Sequence, residues 1–434
     1  MPPWIEFFTF SSINVIHVVL GCSLLGASAG AIGCFSFLRK RSLIGDALAH
    51  AALPGVCVAF MLTGTKNPLY FLLGAGASCW LGAVSVDAIV RYTRCKEDSA
   101  LGMVLSVFFG VGILLLTYIQ KTGDAAQSGL DHYLFGKAAS LVESDVKLIA
   151  VVSLGVLGAL VLAYKELKVI SFDPDFAGAI GLPRRLVELM LATMIVLSVA
   201  IGLQAVGVVL MAALLVTPAA AARYWTDRLN IMLMLAAGIG AFSGFFGAYV
   251  SYLSPKMPTG PWIVVAVTSL FLASLMFAPR RGVLSRLMRH YRFRKKTARE
   301  NVLRTLYLFG ERADNWEQGY LLNEILHHRL MSTLELRRAL YRLERNGLIV
   351  ETPDHRFALT AAGVHAAARI TRLHRLWELY LTRKLEIAPD HVHDDAEEIE
   401  HIITPELEKR LIADLGGPQW DPHEKHIPPV GGVA

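Results

Sequence analysis

The 434-residue sequence contains little cysteine and few charged side chains. All five cysteines precede residue 100: Cys22, Cys34, Cys57, Cys79 and Cys95. No two of them form a CxxC pair, which argues against a disulfide framework and against a cysteine-based zinc site. Charged residues make up only 18% of the chain and hydrophobic residues 54%, and the mean hydropathy is +0.47. This composition is too apolar for an ordinary soluble protein.

Three sequence motifs are also missing. The chain has no Walker A sequence, so ATP binding through a P-loop is excluded and an ATP-driven step requires another subunit. It has no HExxH sequence, which argues against an intramembrane metalloenzyme. No basic segment precedes the first apolar run, so we do not expect a cleaved signal peptide. The chain itself is expected not to be an enzyme.

Long apolar runs fill the sequence up to residue 279. Each is close to the length of about 20 residues that a helix needs to cross a bilayer. The predicted spans are 13–37, 44–64, 69–91, 99–120, 146–164, 186–203, 205–222, 230–253 and 261–278. Because 205–222 is short, the count is eight or nine. We predict an all-α polytopic membrane protein over residues 1–279.

Basic residues recur at every second loop between these spans. The clusters are Arg39-Lys40-Arg41, Arg91 with Arg94 and Lys96, Lys165 and Lys168 with Arg184 and Arg185, Arg223 with Arg228, and Arg280 with Arg281. The positive-inside rule assigns such loops to the cytoplasm. Nine spans then place the N-terminus outside, and either count leaves the C-terminal part in the cytoplasm. The expected location is the inner (cytoplasmic) membrane.

A carboxylate and an imidazole occur together in the segment SLIGDALAHAALPG, residues 42–55. On a helix, Asp46 and His50 share one face and can reach a single small cation. An ionisable residue close to lipid is costly, which favours a functional role. An oxygen and a nitrogen ligand suit Mn²⁺, Fe²⁺ or Zn²⁺. The alternative is a helix-start carboxylate and a solvated histidine among the lipid headgroups.

A short helix is predicted in the cytoplasmic segment SFDPDFAGAIGLP, residues 171–183. Asp173 suits the N-cap and Pro174 the first helical position, while Gly181 and Pro183 end the helix. A partly apolar helix between two spans offers a surface to a soluble partner. A surface turn without a partner is the alternative.

The sequence becomes charged and ordinary after residue 279. Residues 280–297 form a basic linker that we expect to lie along anionic membrane lipid. Helices predicted at 298–310, near 319–329 and at 332–346, followed by a β-hairpin, indicate a winged helix-turn-helix over 298–360. Ser332 and Thr333 can cap the third helix. Three arginines of the third helix are candidates for DNA contact: Arg337, Arg338 and Arg342. Because many winged helices bind protein, protein contact stays open.

Five segments of the membrane part resemble permeases of the manganese, zinc and iron branch of ABC transporters. They are residues 42–55, 97–113, 172–183, 206–223 and 258–265. The resemblance implies a permease dimer, formed with itself or with a sister chain, a cytoplasmic ATPase subunit that hydrolyses ATP, and an extracytoplasmic metal-binding protein. It also implies that Asp46 and His50 coordinate the transported ion. The helix that docks on the ATPase would include Asp173, Pro174, Phe176, Ala177 and Gly181.

Residues 298–429 resemble metalloregulators of the DtxR/MntR type, most clearly in the segments RLHRLWELYL (372–381), DHVHDDAEEIEHIITPELEKRL (390–411) and DPHEKHIPP (421–429). The resemblance implies a metal-binding and dimerisation region over 361–434. Its implied ligands are His374, Glu378, His393, Glu397, Glu400 and His401. The spacing supports this, because His374 and Glu378 lie four residues apart, as do Glu397 and His401.

The sequence departs from these regulators in the first helix of the winged domain. Asn301 and Arg304 stand where the family supplies further ligands, and arginine cannot coordinate a metal. Glu397 stands where iron-type relatives carry a thiol, which favours a hard ion such as manganese. The alternative is a domain kept for dimerisation, with a partly vestigial cluster.

Two hypotheses follow for the whole chain. The first is the permease of an importer for manganese, or for iron or zinc, whose cytoplasmic domain senses metal and restrains transport. The second is a metal-dependent gene regulator that binds operator DNA while tethered to the membrane or after proteolytic release.

Overall fold

The computed structural model describes residues 3–9, 13–41, 43–65, 67–121, 138, 141–253, 257–328, 331–387, 399–401 and 403–430. The chain divides into two compact units, Met1–Arg286 and Leu287–Ala434. Within the described residues, eight helices are long and apolar enough to cross a membrane, and a shorter apolar helix covers Leu210–Trp225. The prediction of an all-α polytopic protein is confirmed.

The first unit consists of helices alone within the residues described. They are α1 (Pro3–Phe8), α2 (Ile13–Leu38), α3 (Ile44–Thr63), α4 (Pro68–Tyr92), α5 (Glu97–Lys121), α6 (Glu143–Leu162), α7 (Tyr164–Phe172), α8 (Pro174–Ala179), α9 (Arg184–Ala205), α10 (Val208–Trp225), α11 (Leu229–Leu253) and α12 (Thr259–Phe277). The bounds of the nine predicted spans agree with nine of these helices to within three residues. Gly207 separates α9 from α10 with φ at +90°, a backbone conformation that favours glycine.

Helices α2 and α11 pack with their backbones in close contact. A Cβ atom on Gly26 would lie 2.2 Å from the carbonyl oxygen of Gly240, and one on Gly240 would lie 2.0 Å from that of Gly26. Small residues at a helix interface permit such an approach in a membrane, where packing rather than the hydrophobic effect holds helices together. The two glycines thus mark one point of direct backbone contact between these helices.

Ion pairs join the basic loops at one end of the first unit. Arg39, which follows α2, lies 2.8 Å from Glu188 of α9, and Arg41 lies 2.6 Å from Glu97 at the start of α5. Arg223 at the end of α10 binds Asp227, which also binds Arg281. The contacts bring together loops that the charge pattern assigns to a single side of the membrane.

The second unit is a winged helix-turn-helix followed by two further helices among the residues described. Its elements are α13 (Val283–Ala313, whose first four residues belong to the first unit), β1 (Tyr320–Leu321), α14 (Leu322–His328), α15 (Thr333–Arg345), β2 (Ile349–Glu351), β3 (Arg356–Leu359), α16 (Ala361–Lys384) and α17 (Pro405–Asp414). The three strands pair antiparallel in the order β1-β3-β2. Leu303, Leu340 and Ile349 belong to a core that α13, α15 and the wing share.

The second unit differs from the sequence prediction in two respects. Helix α13 begins at Val283 rather than near 298, because the basic linker is rich in arginine, lysine and leucine, which favour helix. The sheet has a third strand, β1, whose two residues are too few to give a sequence pattern. The predicted cap is confirmed: the Ser332 hydroxyl accepts a hydrogen bond from the Glu335 amide at 3.3 Å.

Candidate functional site

Helix α3 carries the first candidate pair of ligands. Leu43, its N-cap residue, makes no side-chain cap. Asp46 lies in the first turn, where the helix dipole favours negative charge. His50 follows one turn later. The apolar residues around them hold α3 against its neighbours, with Ala47, Leu48 and Ala49 buried.

The structure brings Asp46 and His50 into contact. His50 Nε2 lies 3.6 Å from Asp46 Oδ1, and the side chains are 16% and 36% exposed, respectively. The imidazole packs edge-on against Phe109 of α5, with the ring centroids 4.7 Å apart. His50 Nδ1 is buried and has no hydrogen-bond partner in the part of the chain that the structure describes. A largely buried, positioned ring differs from the solvated histidine of the alternative interpretation.

The separation of the two ligand atoms is close to what one ion requires. Two ligands about 2.1 Å from a metal, at octahedral or tetrahedral angles, stand about 3.0–3.4 Å apart. A small shift of either side chain brings Oδ1 of Asp46 and Nε2 of His50 from 3.6 Å into this range. Among the described residues no group of three or more His, Cys, Asp or Glu could hold a metal. The pair therefore provides two ligands, and further ligands have to come from elsewhere.

The helix predicted at the 171–183 segment is confirmed as α8. Asp173 Oδ1 accepts a hydrogen bond from the Phe176 amide at 2.9 Å, and Pro174 is the first helical residue. Ala177 is buried, whereas Phe176 is 53% exposed. Gly181 ends the segment with φ at +79°. The cap and the glycine give a short helix that presents an exposed aromatic side chain.

A second candidate cluster lies in the second unit and joins α16 to residues 399–401. His374 Nδ1 lies 2.6 Å from Glu400 Oε2, and His374 Nε2 lies 3.0 Å from Glu378 Oε1. All three side chains are almost completely buried. The structure thus brings together three of the six ligands that the sequence predicts.

The other predicted ligands of the second unit are placed differently. His401 Nε2 lies 3.7 Å from Glu400 Oε1, but its closer partners belong to α13. Its Nδ1 atom lies 2.7 Å from Glu300 Oε2 and its Nε2 atom 3.1 Å from Asn301 Oδ1. His393 and Glu397 lie outside the described residues.

Arg304 occupies the same cluster from α13. Its side chain is 3% exposed, and Nη1 lies 3.6 Å from Glu400 Oε2. Burial lowers the pKa of the Arg304 guanidinium, while the negative charges of Glu400 and Glu378 oppose this effect. A guanidinium has no lone pair for a metal, and both nitrogens of His374 already face carboxylate oxygens. The described residues of this cluster do not fit a divalent ion.

The residues that position these side chains are not among those predicted from the sequence. Glu300 is one of them, although Lys296, Glu300 and Arg304 recur at four-residue intervals and so share one face of α13. Lys296 Nζ donates a hydrogen bond to the His401 carbonyl at 2.7 Å. The four-residue spacing is the sequence signal that points to Glu300. Phe109, which contacts His50, has no such signal, because aromatic residues are common in apolar spans.

The candidate DNA contacts lie on α15, the third helix of the winged domain. Arg337 and Arg338 are exposed and Arg342 is half-buried. Tyr341 on the same helix is 64% exposed. An exposed surface of arginine and tyrosine suits either a phosphate backbone or an acidic protein.

Comparison with known proteins gives a match in each part of the chain. Residues 12–278 match the model of the ABC 3 transport family. Residues 360–429 match the metal binding and dimerisation domain of iron dependent repressors. Both resemblances predicted from the sequence are confirmed.

Proteins similar to the chain include two transport-system membrane proteins and one solved structure. It is 44% identical over 378 residues to the manganese transport system membrane protein MntC of Bacillus subtilis (strain 168), covering 86% of each chain. It is 46% identical over 284 residues to the zinc transport system membrane protein TroC of Treponema pallidum (strain Nichols), covering 65% of this chain and 95% of that one. PsaBC from Streptococcus pneumoniae in complex with Fab matches with a TM-score of 0.58 and 31% identity, over 64% of this chain and 97% of that one.

Proposed function

Since the chain belongs to the ABC 3 transport family, as a metal-transport permease with a repressor-like C-terminal domain, we propose that it imports manganese, with iron and zinc as alternatives. One observation carries this proposal: Asp46 and His50 meet at 3.6 Å in an otherwise apolar helix. The relatives named for manganese and zinc transport support this class of ion. A mixed oxygen and nitrogen pair suits all three metals.

Asp46 and His50 form a transit site in this proposal. Two ligands from one chain hold an ion loosely enough to release it, and water or a second permease protomer, identical or a sister chain, completes the coordination shell. An extracytoplasmic metal-binding protein delivers the ion. Because the chain has no P-loop, a separate ATPase subunit hydrolyses ATP and docks on α8, whose exposed Phe176 offers the contact. The resulting motion exposes the pair first to the outside and then to the cytoplasm.

Metal uptake tests the transport function directly. A strain lacking the chain is complemented with wild type, with Asp46→Asn, or with Asp87→Asn, and cell-associated metals are measured by mass spectrometry at matched membrane expression. Asp87 is an exposed carboxylate of α4 and serves as the control. We expect Asp46→Asn to lower accumulation of one metal about tenfold or more, and Asp87→Asn to behave as wild type. Wild-type accumulation by Asp46→Asn would refute the proposal.

The second unit restrains transport in this proposal, and it lies in the cytoplasm. The basic loops, which ion pairs gather at one end of the first unit, support this orientation. A chain truncated after Arg281 tests the restraint. We expect it to accumulate more metal than wild type when external metal is abundant. Equal accumulation by the two chains at every metal concentration would contradict the restraint.

The sequence also predicts that cytoplasmic metal controls this restraint by binding to the His374 cluster. The position of Arg304 argues against such metal control, because a cation already lies beside Glu400. Combining Glu400→Ala with His401→Ala tests it in the full chain. Metal control predicts that the double variant no longer adjusts uptake to the cytoplasmic metal supply, and unchanged adjustment would exclude it.

A gene regulator is the second candidate function. The exposed arginines of α15, in the third helix of a winged domain, favour it. A band shift with the full chain in nanodiscs and DNA from its own promoter tests the idea, with the double variant Arg337→Ala and Arg338→Ala as the control. Regulation predicts a metal-dependent shift that the double variant loses. The absence of any shift would exclude the gene-regulator function and leave transport as the proposed function.

A further inference from the structure

A buried arginine lies within the cluster that the sequence assigns to metal binding. Arg304 Nη1 stands 3.6 Å from Glu400 Oε2, and both side chains are almost completely inaccessible. The same oxygen lies 2.6 Å from His374 Nδ1, while Glu378 Oε1 lies 3.0 Å from the other ring nitrogen. A guanidinium, an imidazole and two carboxylates thus form one buried group.

The protein itself supplies a positive charge to this group. Removing a carboxylate from water is costly unless a cation lies nearby, and two carboxylates are buried here. Arg304 provides a permanent positive charge. Both Glu400 and Glu378 interact electrostatically with this guanidinium. In a cluster of His and Glu alone, a bound metal ion is one source of that charge.

A divalent ion and Arg304 would compete for the same carboxylates. Arginine has hydrogen-bond donors only, so it cannot become a ligand when an ion enters. Its positive charge repels a cation placed next to Glu400, and the repulsion is weakly screened in a buried site. An ion would also have to displace a carboxylate from His374, because both ring nitrogens are in contact with one.

We propose that Arg304 is the resident cation of this cluster and takes the place of a divalent metal at Glu400, Glu378 and His374. The second unit then keeps this part of its fold without metal. If the second unit restrains transport, as proposed above, that restraint does not depend on an ion bound to Glu400. The inference concerns only the second unit, so it is independent of whether the first unit transports metal.

Counting bound metal provides the first test. The full chain is purified in detergent with Asp46→Asn, so that the membrane pair does not contribute, and is dialysed against Mn²⁺. Metal per chain is compared between this background and the same chain carrying Glu400→Gln. We expect equal amounts of Mn²⁺. An ion that is bound in the background and lost with Glu400→Gln would overturn the assignment.

Replacing the arginine provides the second test. In the same background, Arg304→Glu exchanges the cation for a third carboxylate, and Arg304→Lys keeps the positive charge as a control. We expect Arg304→Glu to bind Mn²⁺ about tenfold or more tightly than the background, and to unfold at a higher temperature with Mn²⁺ present. Arg304→Lys should show neither change. A folded Arg304→Glu chain without this gain would overturn the assignment.

The first test does not depend on the second. If Arg304→Glu cannot be purified as a folded chain, the comparison with Glu400→Gln still shows whether Glu400 binds Mn²⁺. Uptake by the Asp46→Asn strain is measured separately. A failure of the transport function therefore cannot be mistaken for a failure of this inference.

Discussion

Arg372 and Glu408 join α16 to α17 through two buried contacts: Nε and Nη2 lie 2.9 Å and 2.6 Å from Oε1 of the carboxylate. Arg372 also donates a hydrogen bond from Nη1 to the Pro429 carbonyl at 2.7 Å. Arg369 reaches the other carboxylate oxygen at 3.1 Å, but its side chain is 45% exposed. The same carboxylate therefore has one buried and one exposed arginine partner, which allows their contributions to be separated.

Arg372→Met should destabilise the second unit far more than Arg369→Met. Removing the buried arginine leaves Glu408 without its main cation, which costs about 3–5 kcal/mol. The exposed pair is screened by water and contributes less than about 1 kcal/mol. Hydrogen exchange of α16 and α17 in the full chain measures both. Equal effects of the two substitutions would show that burial does not determine how much each arginine stabilises Glu408.

A side chain at Gly26 should separate α2 from α11. The Cβ of Gly26→Val would lie 2.2 Å from the Gly240 carbonyl, so the helices have to move apart. Gly238→Val is the control, because Gly238 also lies on α11 but a Cβ at this position would have no atom within 4 Å. We expect the first variant to unfold in detergent at a markedly lower temperature and the second to resemble wild type. Matching unfolding temperatures would contradict the close packing.

Much of the fold could be predicted from the sequence because its signals are local. Apolar runs of bilayer length gave the spans, and the caps at Asp173 and Ser332 gave two helix starts that the structure confirms. The contact between Asp46 and His50 was predictable for the same reason. Two residues spaced four apart on a helix share one face and meet regardless of how the rest of the chain folds.

The contacts that decide the chemistry of the second unit are distant in sequence. Arg304 and Glu400 are separated by 96 positions, and Glu300 and His401 by 101. No periodicity in the sequence connects residues this far apart. The sequence therefore shows that Arg304 cannot be a metal ligand, but it does not show which carboxylate lies beside Arg304. The strand β1 could not be predicted for the same reason, because its two residues pair with β3, which lies more than 30 positions later in the chain.

Asp173→Ala should weaken α8 without removing the surface proposed for docking. The substitution removes the hydrogen bond from the Phe176 amide to Oδ1, and the loss of such a cap costs about 1 kcal/mol. Asp175→Ala is the matched control, since Asp175 lies in the first turn but does not form the cap. We expect Asp173→Ala to slow metal uptake a few fold at equal expression, a larger effect than that of Asp175→Ala. Identical uptake by both would show that the cap does not matter for transport.

If the proposed docking is correct, Phe176→Asp should uncouple the permease from the ATPase subunit. The ring is 53% exposed on α8, next to a cavity of about 440 Å³ lined by Tyr164, Lys168 and Phe172. An aspartate in its place removes the apolar contact and adds a charge that a docked partner would have to desolvate, whereas Phe176→Leu keeps the surface apolar. We expect Phe176→Asp to lose both co-purification with the ATPase subunit and metal uptake, and Phe176→Leu to retain most of each. If Phe176→Asp still binds the ATPase and transports normally, the docking surface lies elsewhere, and the exposed aromatic side chain has another role.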